Sequence, residues 1–130
     1  SSTPFAFEDA PADVYEGNIE IWFYMDQPFT GWSVEKYVGG RLKRKELLQT
    51  GLLHGLTQTW YEDGQLESES NWRHGLPDGL EVMWHRNGRV EMFNYWMRGA
   101  MLIRMAWDKN GDLMNVKGWN EDGTPKGTSR

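Results

Sequence analysis

Tryptophan recurs in this chain at a nearly fixed interval, and that interval limits what the chain can fold into. Trp60, Trp72, Trp84, Trp96, Trp107 and Trp119 are spaced 12, 12, 12, 11 and 12 residues apart. Glycines keep the same beat in three series: Gly40, Gly64, Gly88, Gly111; Gly51, Gly75, Gly99, Gly123; and Gly31, Gly55, Gly79. A fixed period of this size is the mark of a repeat architecture, in which each unit buries its apolar groups only against its neighbours. A turn glycine about every 12 residues leaves no room for helices of ordinary length. It leaves room for two short strands per unit.

The units are clearest in the middle of the chain. One runs from Gly55 through Trp60, Asp63-Gly64 and Leu66 to Trp72 and Gly75. The next runs from Gly79 through Trp84, Asn87-Gly88 and Val90 to Trp96 and Gly99. Asp-Gly or Asn-Gly between alternating segments is a strong hairpin signal, because glycine takes positive φ without a steric cost. Gly40, Gly64, Gly88 and Gly111 are therefore expected to be structural turn residues. The reading is all-β: a single-layer antiparallel meander of tandem hairpins, about 24 residues each, in a curled sheet. The expected units are 18–30 (partial), 31–54, 55–78, 79–102 and 103–130. Residues 1–17 form an N-terminal extension, either capping or disordered.

Parity selects the loop length. A three-residue loop Glu62-Asp63-Gly64 sets Trp60 opposite Leu66, and the same choice sets Trp84 opposite Val90, Trp107 opposite Leu113 and Val82 opposite Met92. Side chains alternate across a strand. One face then reads Leu56, Trp60, Leu66, Trp72, Leu80, Val82, Trp84, Val90, Met92, Trp96, Met105, Trp107, Leu113 and Trp119. The opposite face reads Thr57, Thr59, Tyr61, Glu67, Glu69, Asn71, Glu81, His85 and Glu91. One apolar and one polar face are expected.

Composition narrows the function. The net charge of −5 argues against nucleic acid as a partner, since phosphate binding needs excess Lys and Arg. It argues also against an anionic membrane, for which only Lys36, Arg41, Lys43, Arg44 and Lys45 could serve. With no cysteine there is no disulfide, zinc–thiolate site or cysteine nucleophile. The compartment stays open between cytoplasmic and exported. His54, His74 and His85 sit in different units without metal-ligand spacing, and no metal or cofactor is expected. Carboxylates at Glu62-Asp63, Asp78 and Glu121-Asp122 fall at turns, where a glycosidase pair is the remote alternative. No catalytic residue is assigned.

What remains is binding. The eight tryptophans are either the core or, in part, an exposed surface that stacks on a ligand. Met83, Phe93 and Tyr95 interrupt the polar face beside His85, and clustered apolar groups on a polar face mark a partner site. With Tyr61, Trp84 and Trp96 they make the candidate binding set. The first reading is a non-enzymatic module for a protein partner or for self-association. The alternatives are a carbohydrate-binding module and a membrane-associated scaffold. Edges matter too. The run Ile19, Ile21, Trp22, Phe23 and Tyr24 is expected to form an N-terminal edge needing cover from residues 1–17 or from a second copy. Lys117, Gly118, Gly123, Pro125, Lys126 and Gly127 are expected to blunt the C-terminal edge.

The pattern Gly-x4-Trp-x-x-Asn/Asp-Gly-x-Leu/Val, followed by an aromatic and Gly, resembles the bacterial MORN-repeat-variant family (membrane occupation and recognition nexus), some members of which are YwqK-type antitoxins. The resemblance covers about residues 31–127. It departs at Gly39-Gly40, which replaces Asn-Gly with no Trp before the turn, and after Trp119, where Asp122-Gly123 follows half a period early. It implies a single-sheet stack of hairpins used for recognition, with an antitoxin-like role among the possibilities.

Overall fold

The computed structural model describes residues 23–24 and 26–126. Ten strands form: β1 (Phe23–Tyr24), β2 (Gln27–Pro28), β3 (Gly31–Lys36), β4 (Leu42–Gln49), β5 (Leu52–Trp60), β6 (Leu66–Arg73), β7 (Leu76–Trp84), β8 (Val90–Met97), β9 (Ala100–Trp107) and β10 (Leu113–Gly118). Among the described residues there is no helix. Strands β3 to β10 make one eight-stranded antiparallel sheet in strict chain order. The architecture is the curled single-layer meander that the period implies. Among the described residues, β1 and β2 pair only with each other, so Phe23–Tyr24 does not extend the large sheet, whose outer described strand on that side is β3. The rest of the expected edge run, and residues 1–17, lie outside the described residues.

Two kinds of turn alternate along the stack. At one end sit three-residue loops. Gly64 N–H donates to Tyr61 O and Tyr61 N–H to Gln65 O, with equivalent bonds closing the loops at Gly40, Gly88 and Gly111. These four glycines have φ between 89° and 104°, as their role as turn residues requires. At the other end sit two-residue loops, Thr50-Gly51, His74-Gly75 and Arg98-Gly99, in which both residues have positive φ. That is the hairpin turn whose twist matches the strands it joins. Asp122-Gly123 closes one more three-residue loop, anchored by the Trp119–Pro125 bridge.

Trp60–Leu66, Trp84–Val90 and Trp107–Leu113 pair as parity expects. One step further the register differs. Met83, not Val82, pairs with Met92, and Val82 pairs with Phe93. The cause is a one-residue bulge beside each of the turns at Gly40, Gly64, Gly88 and Gly111, at Lys43, Glu67, Glu91 and Met114. An extra residue on one strand reverses the facing of everything beyond it. A second set of bulges accompanies Gly55 and Gly79, at φ of 103° and 110°. A side chain on Gly55 would also press within 3.0 Å of Leu47.

The two faces are therefore not the expected ones. Trp60, Trp84 and Trp107 share a face with Phe93, while Trp72, Trp96 and Met92 share the opposite face with Asn94. The side chains with the least exposure among those described, Ser33, Glu46, Leu48, Thr57 and Asn94, all belong to the Asn94 face, which is the inside of the curl. Its centre is polar. The register runs Ser33–Glu46–Thr57–Ser70–Glu81–Asn94–Arg104–Lys117 straight across all eight strands. The six periodic tryptophans are half-buried.

Candidate binding surfaces

The polar row on the Asn94 face is tied together by its own side chains. Asn94 Nδ2 donates to Glu81 Oε1 at 3.0 Å, and Trp96 Nε1 donates to the same oxygen at 2.8 Å. Arg104 Nε donates to Asn94 Oδ1 at 3.0 Å, and Trp72 Nε1 donates to Ser70 Oγ at 2.9 Å. Asn94 is 0% exposed, so these bonds replace the water it loses on folding. Further along, Arg44 holds one oxygen of Glu46. Ser33 Oγ, Glu46 Oε1 and Thr57 Oγ1 are buried without a hydrogen-bond partner among the described residues. Burial pushes the Glu46 carboxyl above its ordinary range, against the pull of Arg44.

Tyr61 and His85 are occupied elsewhere. Tyr37 Oη donates to Trp60 O at 2.6 Å, Tyr61 Oη donates to Trp84 O, and His85 Nε2 donates to Trp107 O at 2.8 Å. Each thus reaches from the residue after a strand into the next hairpin, and stitches successive units at the three-residue-turn end. The corresponding residue of the fourth hairpin, Asp108, accepts from Asn110 and Asp112 N–H in its own turn instead. These backbone donors hold its carboxyl below the usual range. A matching stitch runs along the other end. Thr30 Oγ1, His54 Nδ1 and Asp78 Oδ1 accept from the N–H of Thr50, His74 and Arg98, the positive-φ residues of the two-residue turns.

The seven expected binding residues therefore do not form one site. Met83 and Trp96 lie on the Asn94 face. Trp84, Phe93 and Tyr95 lie on the other, and Phe93 and Tyr95 are not beside Glu81 as the sequence suggests, because the Glu91 bulge turns them over. Tyr61 and His85 are stitches, with Arg86 stacked 4.5 Å from the Tyr61 ring centre. Four of the five basic residues in 36–45 are likewise engaged. Lys43 is 3.5 Å from Glu35, Lys45 lies 4.4 Å over Trp32, and Arg41 donates to Glu62 O.

The Phe93 face changes character half-way across. Its central row reads Val34, Lys45, Gln58 and Glu69 on β3 to β6, then Val82, Phe93, Met105 and Val116 on β7 to β10. The neighbouring row sets Tyr95 between Leu80 and Ile103. Leu80 is 48% exposed, Ile103 39% and Val116 59%. None of these three was singled out from the sequence as a site residue. The signal was available in the unit alignment for Val116, whose column holds Lys45 and Glu69 in the first two hairpins, whereas Leu80 and Ile103 continue a column that holds Trp32 and Leu56.

No protein-family model matches the chain, and no curated protein matches it. One solved structure does, the crystal structure of a GtfA/B complex bound to UDP and GlcNAc, at 12% identity and a TM-score of 0.38. The match covers 88% of this chain and 23% of that one, so the chain spans about a quarter of its length. A likeness so loose carries no statement about activity. Among the described residues there is also no group of three or more His, Asp or Glu that could hold a metal.

Proposed function

We propose that the chain is a non-enzymatic recognition scaffold that docks a protein partner on the β7–β10 half of the Phe93 face. The observation that carries this reading is the apolar field around Tyr95 and Phe93, with Leu80, Ile103 and Val116 exposed in adjoining strands. A flat aromatic and aliphatic patch bordered by Gln58, Glu69 and Asn71 has the make-up of a protein interface, apolar at its centre and polar at its rim. The resemblance to MORN-repeat-variant proteins agrees with it, and an antitoxin-like partner belongs to the same reading. The carbohydrate alternative has less support. The polar groups beside Trp72 and Trp96 are bonded to one another, and Asn94 is buried. The membrane alternative has less still, since four of the five basic residues in 36–45 are engaged within the sheet. The test is affinity capture from a host lysate with the wild-type chain and with a Leu80→Asp, Ile103→Asp variant, beside a glycan array. A protein retained by the first and lost by the second, with no glycan bound, is the expected result. Glycan binding unaffected by the double substitution would replace this reading with the carbohydrate one.

A further inference from the structure

Burial on the Asn94 face has two origins. Asn94 lies well inside the sheet, with Met92 and Trp96 beside it on its own strand and Glu81 and Arg104 on its flanks. These side chains are long enough to close over it. Ser33 is as fully buried, at 0% exposed, yet it stands on β3, the outer described strand. Glu46 flanks it on one side only. Its neighbours along β3 on the same face are Gly31, which has no side chain, and Glu35, which is turned to Lys43. Thr57, 4% exposed, sits among Gly55, Thr59, Glu46 and Ser70. Glu46 and Leu48, between Ser33 and Thr57, are each 1% exposed. Trp72 leans over Ser70 at the inner border of this place, and no described residue stands at its outer border. The sheet does not fold back to close it, since each strand packs against its immediate neighbours. What remains is a shallow trough of short side chains across β3 to β5, closed by something outside the described residues. Three oxygens in it, Ser33 Oγ, Glu46 Oε1 and Thr57 Oγ1, lack a partner among the described residues.

We propose that residues 1–22 of this chain are the cover, lying across the Asn94 face over Ser33, Glu46, Leu48 and Thr57. Position names this segment first. Phe29 O accepts from Gly51 N–H and Thr30 Oγ1 from Thr50 N–H, and the Phe29 ring stands 3.3 Å from where a side chain on Gly31 would begin. Gly31 pairs with Leu48, so the chain before Phe29 enters at the corner of the trough. Length is ample, since three strands span about 10 Å and 22 residues reach up to about 70 Å. Composition fits as well. The segment holds Phe5, Phe7, Tyr15, Ile19, Ile21 and Trp22, which gain by leaving water. Its five acids, Glu8, Asp9, Asp13, Glu16 and Glu20, stand without any Lys or Arg and equal the net charge of −5, so the rest of the chain is balanced. The Asn94 face offers Arg44, Arg104 and Lys117 to these acids, while its own Glu35, Glu46 and Glu81 are each held by a partner. A peptide also brings the backbone N–H and C=O groups that the three buried oxygens lack. The trough is then filled by the chain itself, and a glycan or peptide enters it only by displacing the segment. The Phe93 face and its partner are independent of this cover.

The chain has no cysteine, so a single introduced one reports the cover. In the full chain Ser33→Cys should react with a maleimide at least about ten-fold more slowly than Val38→Cys, which stands fully exposed. In a chain beginning at Phe23, with circular dichroism unchanged, the Ser33→Cys rate should rise to that of Val38→Cys, and a peptide of residues 1–22 added back should slow it again. A diazirine-bearing leucine analogue at Leu48 of the full chain needs no truncation, and decides the matter where the shortened chain fails to fold. Its light-induced cross-links should fall on residues 1–22 of the same molecule. Ser33→Cys reacting as fast as Val38→Cys in the full chain overturns the proposal. So does a folded chain beginning at Phe23 that still protects Ser33→Cys, and so do Leu48 cross-links that join a second copy or stay within residues 23–130.

Discussion

The two faces of one sheet reverse the usual assignment of polar to water and apolar to core. The Asn94 face carries Ser33, Glu46, Thr57 and Asn94 and is the buried one, while the Phe93 face carries Leu80, Ile103 and Val116 and leaves them open. Among the described residues no second layer packs on this sheet, and burial falls on the face that the curl encloses. At the Asn94 end the polar side chains satisfy one another, since Asn94, Glu81, Trp96 and Arg104 share three hydrogen bonds, whereas at the other end Ser33, Glu46 and Thr57 each bury an oxygen without a partner among the described residues. The open face is then free to hold apolar groups for a partner.

The sharpest way to break this comparison is to remove Asn94. Asn94→Ala strips Glu81 and Arg104 of a partner in a buried place, and hydrogen bonds to charged groups each contribute roughly 1.5–3 kcal/mol. A loss of about 3 kcal/mol in urea unfolding is expected. A loss below about 1 kcal/mol would mean that the polar row does not hold the sheet together.

Trp84 tests the other side. It is half-buried on the Phe93 face. Trp84→Ala should cost roughly 2 kcal/mol, about half the value for a fully buried ring. A cost as large as that of Asn94→Ala would erase the distinction between the faces.

The turns come next. A Cβ on Gly88 would meet nothing within 4 Å, so Gly88→Val costs only its positive φ of 89°. The expected loss exceeds about 1 kcal/mol, since a β-branched residue resists that conformation. An unchanged melting temperature would show that the loop conformation is not required.

Glu46 gives a smaller effect with a definite sign. Burial raises its carboxyl above the ordinary 4.5, so the folded state binds this proton more tightly than the unfolded state. Its contribution is fully present below 4.5 and is lost as pH rises through the folded value. Glu46→Gln should therefore gain stability relative to wild type as pH rises across that window. A difference that is flat with pH, or that runs the other way, would show that Arg44 outweighs burial. Least of all, Ile103→Ser on the open face should shift stability by less than about 0.5 kcal/mol, while weakening partner capture.

The repeat length, the all-β class, the strand order and the turn glycines were legible in the sequence, because period and turn chemistry are local properties. The pairs Trp60–Leu66, Trp84–Val90 and Trp107–Leu113 followed from parity next to a turn. Part of the buried row was legible too. Ser33, Thr57 and Glu81 stand 24 apart, as do Glu46, Ser70 and Asn94, two columns that stay polar through the units 31–54, 55–78 and 79–102. The same alignment shows Tyr37, Tyr61 and His85 in one column. What the sequence by itself could not decide was facing. One bulge beside each of the turns at Gly40, Gly64, Gly88 and Gly111 reverses the alternation, and a bulge is settled by pairing with the neighbouring strand, not by the residues of its own. Only the tertiary structure therefore parted Trp84 from Trp96, turned Phe93 and Tyr95 away from Glu81, and chose which side the curl encloses.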